Sequence, residues 1–162
     1  MEHLWAPWRS DYVKHPQEKK TDVFAEIARS TDDEANLVLE RGKSCYAVLN
    51  RYPYNTGHLM VVPYRVSEAL EDLADDELLE LMTMLKRMKA ALTAVYNPQG
   101  FNVGINLGAI AGAGIDSHLH VHLVPRWKGD VNFMTTTAET RVHPTDFPTI
   151  YAALRKHLSS GA

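Results

Sequence analysis

Three of the chain's eight histidines, His118, His120 and His122, occupy alternate positions in the stretch SHLHVHLVPRW. In a β-strand, residues i, i+2 and i+4 share a face, so one strand would carry three imidazoles on one side and Leu119, Val121 and Leu123 on the other. A helix would spread the rings around its cylinder. The β-branched, apolar content and the Pro125 that closes the run predict a strand over 118–124. Neighbouring imidazoles titrate near neutrality and repel when all are protonated, so their pKa values must separate. Such crowding suits a ligand that uses it. A transition metal binds imidazole through a ring nitrogen, and a phosphoryl group is attacked by one neutral imidazole while a protonated neighbour donates a hydrogen bond to it. A structural cluster is the third reading, and spacing alone leaves all three standing.

The flanking residues supply further candidates. No Asp, Glu or Cys follows the usual ligand spacing, although Asp116 is close enough to orient an imidazole. The preceding loop, GAIAGAGID, holds three glycines, including Gly112 and Gly114, whose slim backbone lets N–H groups approach an anion; it reads equally well as a flexible hairpin loop. Asn50 and His58 flank the turn RYPYNTG, each as a turn or capping residue or as a ligand. His3, His15, His143 and His157 stand alone and read as ordinary surface or core residues.

These residues need a scaffold, and 162 residues with 45% hydrophobic content suffice for one domain with a sizeable core. A formal charge of -3, with both signs spread along the chain, offers neither a basic stripe for nucleic acid nor a polybasic membrane patch. Any nucleotide ligand is therefore small and held in a pocket. Cys45 is the only cysteine, which excludes a disulfide framework and a C-x-x-C clip and fits the cytoplasm. Neither a signal peptide nor an apolar run of about 20 residues is legible.

Residues 1–20 read as an arm with aromatic anchors (Trp5, Trp8, Tyr12), placed to dock on a second subunit, and 21–162 as the domain. A short helix is predicted at 22–29, with Val23, Phe24 and Ile27 on its apolar side. Three antiparallel strands are predicted between Asn36 and Pro63. Leu78, Leu81, Met82, Leu85, Met88, Leu92 and Val95 recur at three- and four-residue steps and predict one long helix over 75–96, ended by Asn97-Pro98. FNVGIN alternates, with Phe101, Val103 and Ile105 on one face, and should pair antiparallel with the histidine strand. A C-terminal helix is predicted within 144–158. The sum is an α+β domain, an antiparallel sheet of about five strands packed against one long helix.

The run His118-Leu-His120-Val-His122-Leu-Val124 resembles the signature of the histidine triad (HIT) superfamily of nucleotide hydrolases and transferases. LWAPWR, LNRYPYNTGHLMVVPYR, NLG and HLHVHLVPRWKGDVNFM extend the resemblance over most of the chain, toward a bacterial branch related to fragile-histidine-triad proteins and diadenosine tetraphosphate phosphorylases. The resemblance implies that His120 attacks the α-phosphorus of a nucleotide to form a nucleotidyl-histidine. It implies that His122 and His118 bind phosphate oxygens and fix the tautomer of His120, that His58 joins them, that Asn50 lies on the ribose side and that Asn106 lies near the phosphate. It also implies a homodimer that cleaves dinucleoside polyphosphates or related AMP conjugates, with water or phosphate as acceptor. A nucleotide-binding or sensing protein with little turnover is the other class of reading. No metal is needed for the covalent step, although a divalent cation can accompany the polyphosphate.

Two departures from the resemblance matter. Many bacterial relatives hold a structural zinc with a C-x-x-C pair, a histidine after the P-x-R segment and the first triad histidine. The corresponding positions here are Asp22, Ala25, Val66 and His118, so no structural zinc is expected and His118 should be free to serve the phosphate site. Relatives often carry Ser or Thr three residues before the first triad histidine, where this chain has Ile115; Ser117 or the backbone of Gly112 to Gly114 would have to supply the missing donor.

Overall fold

The computed structural model describes residues 22–130 and 145–160. The predicted arm, His3, His15 and His143 lie outside these residues.

Asp22 opens the first helix, α1 (Val23–Arg29), by accepting the Ala25 N–H at 3.0 Å, as an N-cap aspartate does. Three strands follow, β1 (Val38–Arg41), β2 (Cys45–Leu49) and β3 (Leu59–Pro63), then the long helix α2 (Asp75–Tyr96). Strands β4 (Gly100–Ile105) and β5 (Val121–Arg126) and a last helix, α3 (Phe147–Ser159), complete the fold. All strand pairs are antiparallel in the order β1-β2-β3-β5-β4. The α+β architecture and its five strands match the expectation.

The sheet buries both faces, which explains why β2 and β3 read as unbroken apolar runs. Cys45, Ala47, Leu49, Leu59, Val61, Leu119, Val121 and Leu123 face α2 and α3 in the larger core. Tyr46, Val48, Met60 and Val62 face α1 through Phe24 and Ile27 in the smaller one. Leu59, Leu92 and Leu123 are fully buried, each contributing roughly 1.5–3 kcal/mol by leaving water. Leu123→Ala alone would cost about 2–5 kcal/mol, because the sheet and α2 cannot collapse around the void.

Helix α2 has the predicted limits. Glu77 accepts the Ala74 N–H at 2.9 Å at its start, and Asn97, in the left-handed conformation (φ 45°), ends it before Pro98. Its buried stripe is Leu81, Met84, Leu85, Met88, Ala91 and Leu92; Met82, expected inside, is 54% exposed because it falls about a third of a turn from the centre of that stripe.

Two strand expectations need correction. Val103 does not share the buried environment of Phe101 and Ile105: β4 is an edge strand and Val103 is 53% exposed. The histidine strand begins at Val121, not His118, and continues through Pro125 to Arg126. Before Val121 the backbone is engaged elsewhere, with the Leu119 N–H on the Ser67 carbonyl at 2.7 Å. Pro125 does not interrupt the ladder. Its pairing with β3 has already ended at Leu59↔Leu123, and its carbonyl is capped by the Asn55 side chain at 3.1 Å.

Candidate active site

The register Met60↔His122 puts the His122 ring on the α1 side of the sheet, and His120 lies on that side too. The two rings meet edge to face, centroids 4.8 Å apart. Both line a largely apolar cavity, walled by Phe24 and Ile27 from α1, Val48 and Met60 from the sheet, and Ile115 from the loop before His118, with Asn36 and Arg51 among its polar lining. Asn50, Tyr52 and Tyr54 close one side; Gly112 and Gly114 close another. The cavity suits a flat, largely apolar group with polar chemistry at its histidine end.

His120 Nδ1 lies 2.9 Å from the His118 carbonyl oxygen, which can only accept, so Nδ1 carries the proton and Nε2 keeps its lone pair. Burial holds the His120 imidazole below its ordinary pKa of 6.5, outweighing the favourable carbonyl contact; the neighbouring His118 adds to the lowering. The ring is therefore favoured in its neutral form, with a defined tautomer and a lone pair on Nε2. Phe24 braces it at a centroid distance of 4.9 Å.

A second relay fixes His122. The Tyr54 N–H donates to His58 Nδ1 at 3.0 Å, which puts the proton of a neutral His58 on Nε2. His58 Nε2 lies 3.0 Å from His122 Nδ1, so His58 donates and His122 accepts. The His122 proton is thereby assigned to Nε2, as a donor. Tyr54 also stacks on His58, centroids 4.7 Å apart. Adjacent imidazoles thus present a lone pair and an N–H, the pairing a phosphoryl group requires.

His118 has a different place from the one expected. Its side chain is fully buried, Nδ1 lies 3.0 and 2.9 Å from the two Asp22 carboxylate oxygens, and Nε2 donates to the Pro63 carbonyl at 2.8 Å. Both nitrogens are engaged and the ring does not line the cavity. The expectation that it is free to serve the phosphate site does not hold. His118 does fix the tautomer of His120, but through its backbone carbonyl.

The remaining candidates divide. Asn50 Oδ1 accepts the Tyr52 N–H at 2.9 Å, so it shapes the turn as well as lining the cavity. Asn106 Nδ2 donates to the Gly112 carbonyl at 3.3 Å and lines a neighbouring polar groove with Tyr54, Asn102, Gly104, His122 and Arg126. Arg126 is held there by Asp130 at 2.5 and 2.9 Å, and donates to Asn102 Oδ1 at 2.7 Å. Ser117 is exposed and lines neither the cavity nor the groove. Sequence reasoning missed Phe24, Tyr54 and Asp22 as parts of the site; only Asp22 left a signal, a carboxylate standing where relatives have a metal ligand.

The donor set does not fit a structural zinc. Ala25 and Val66 carry no ligating atom, and the third position is a carboxylate already against His118 at hydrogen-bond distance.

Residues 30–129 match the family model described as HIT domain. The AP-4-A phosphorylase of Mycobacterium tuberculosis (strain ATCC 25618 / H37Rv) is 47% identical over 152 residues, covering 89% of this chain and 77% of that protein. The asymmetrical bis(5'-nucleosyl)-tetraphosphatase of Schizosaccharomyces pombe is 36% identical over 93 residues, 57% of this chain and 50% of that protein. Among solved structures, a zinc-bound histidine triad family protein from Mycobacterium smegmatis superposes with a TM-score of 0.68 at 25% identity, covering 85% of this chain and 93% of that one.

Proposed function

Since the chain belongs to the HIT domain family, we propose that it transfers a nucleotidyl group from a dinucleoside polyphosphate, or a related AMP conjugate, through His120. The observation that carries this reading is the pair of fixed tautomers: a lone pair on His120 Nε2 beside an N–H on His122 Nε2. His120 Nε2 attacks the α-phosphorus, a P–N bond forms, and the P–O bond to the bridging oxygen breaks. With diadenosine tetraphosphate the group that leaves is ATP. An acceptor oxygen then attacks the same phosphorus, the P–N electrons return to Nε2, and any proton on the acceptor is lost to solvent. Phosphate as acceptor yields ADP and water yields AMP. Likeness to a protein named AP-4-A phosphorylase favours phosphate.

The side chains divide the work accordingly. The apolar cavity takes the base and ribose, with Asn50 on the ribose side. His122, Asn106 and the backbone of Gly112 and Gly114 face the phosphates, where donors aimed at developing charge stabilise the transition state. Ser117 has no part in this scheme. A divalent cation travels with the polyphosphate as counter-ion, and the covalent step does not use it. We further read the protein as a cytoplasmic homodimer. The lone, buried Cys45 supports the compartment, and no described helix is long and apolar enough to cross a membrane. The β4 edge, with Val103 exposed, and the loop after it, with Leu107 and Ile110 exposed, support the second copy.

Incubation with diadenosine tetraphosphate, with and without phosphate, tests the scheme. ADP and ATP with phosphate, and an AMP adduct visible by intact mass in wild type but not in His120→Ala, are the expected results. Equal turnover by both proteins would overturn the assignment of the nucleophile.

A further inference from the structure

The carboxylate of Asp22 does two things at once. Its Oδ1 caps α1 by accepting the Ala25 N–H at 3.0 Å, and both its oxygens grip Nδ1 of the fully buried His118. The far side of that imidazole is anchored on the Pro63 carbonyl at the end of β3. His118 is thus clamped between α1 and the sheet, just before the chain enters β5. The residue so clamped supplies the carbonyl oxygen that sets the His120 tautomer at 2.9 Å. Helix α1, held by the same carboxylate, delivers Phe24, whose ring lies 5.6 Å from that of His118 and 4.9 Å from that of His120.

We propose that Asp22 is a positioning residue for His120: the Asp22–His118 pair, at two of the positions where the resemblance implies zinc ligands, ties α1 to the chain before β5 and fixes the carbonyl and the aromatic wall that aim the nucleophile. The donor set excludes the metal, since two of its four positions are Ala25 and Val66. What a tetrahedral ion does with four ligands is done here by one carboxylate with three hydrogen bonds, to one backbone N–H and one imidazole nitrogen. The inference rests on the nucleotidyl-transfer reading only for its kinetic readout; the geometry it explains stands independently.

The cap and the clamp separate experimentally. Asp22→Ser keeps a good N-cap, so α1 persists, but its side chain is too short to reach His118. The expected result for Asp22→Ser is a fall in the rate of adduct formation on the order of 10- to 100-fold, with KM for diadenosine tetraphosphate changed less than about threefold, because the base pocket is not rebuilt. In the same variant, imidazole 15N NMR should show His120 losing its single Nδ1–H tautomer. Asp22→Cys combined with Ala25→Cys and Val66→His offers the ligands of a zinc site; it should bind zinc stoichiometrically and recover the single tautomer. A wild-type kcat and an unchanged His120 spectrum in a folded Asp22→Ser protein would overturn the proposal. If the spectrum shifts as expected but wild type makes no adduct, the positioning stands and the nucleotidyl-transfer reading fails.

Discussion

Replacing His58 by leucine interrupts the relay that assigns the His122 proton. His58 is fully buried, accepts the Tyr54 N–H at 3.0 Å and donates to His122 Nδ1 at 3.0 Å. Leucine takes up similar space but removes these two bonds and the longer contact with the Asn50 amide at 3.4 Å, and each buried group deprived of its partner costs about 1–3 kcal/mol. The apolar gain of leucine offsets part of this, leaving a net loss of about 1–4 kcal/mol. For a domain of this size, that lowers Tm by about 2–4 °C per kcal/mol. The effect on chemistry is separate. Without His58 the His122 proton is no longer confined to Nε2, and losing one preorganised donor to the transition state slows formation of the adduct by about 10²–10³-fold. His58→Gln discriminates, because its amide oxygen can accept from Tyr54 while its NH2 donates to His122 Nδ1. Single-turnover rates of adduct formation, measured beside thermal melts, should rank wild type first, His58→Gln next and His58→Leu last. A folded His58→Leu protein with the wild-type rate, or a folded His58→Gln protein no faster than His58→Leu, would refute the relay.

Four further outcomes are expected. Burial lowers the His120 pKa, so the nucleophile stays neutral as pH falls through 6.5, and the single-turnover rate should decline only at lower pH; a half-maximal rate at or above 6.5 would contradict this. The same shift makes the unfolded chain bind the proton first, so His120 contributes stability that is full above 6.5 and is lost as pH falls toward its lowered value, visible in melts across that range. Phe24→Ala removes a buried ring from α1 and should cost about 3–5 kcal/mol while exposing His120, moving its NMR-determined pKa back toward the ordinary value. Dialysis of the untagged protein against a chelator should leave Tm and adduct formation unchanged; a fall in Tm reversed by zinc would establish a structural metal site.

How far the sequence could be read varied with the range of the interaction involved. The histidine face was legible because it depends only on the two-residue period, and α2 because its apolar stripe repeats over 22 residues. Val103 was misplaced because alternation does not say which strand lies at an edge. The start of β5 was misplaced because Ser67, which takes the Leu119 N–H, is more than 50 residues away. The role of His118 was illegible for the same reason: its partners, Asp22 and Pro63, come from distant segments. The resemblance placed His118 among the phosphate ligands, and the loss of zinc ligands suggested a freed imidazole. A carboxylate in a lost ligand position also signals a possible ion pair, and that signal was present in Asp22. Tyr54 acts through its backbone N–H, a contribution that no side-chain pattern can announce.

The His122 ring forms part of the wall of both the apolar cavity and the polar groove containing Arg126. On the proposed scheme, a dinucleoside polyphosphate with two identical ends would meet a protein that treats those ends differently: one would be enclosed and bonded to His120, and the other left in the groove to depart. The molecule's own twofold symmetry is broken on binding, with nothing in the substrate to choose between its ends. A substrate isotopically labelled in one adenosine should consequently leave equal fractions of label on the enzyme and in the released nucleotide.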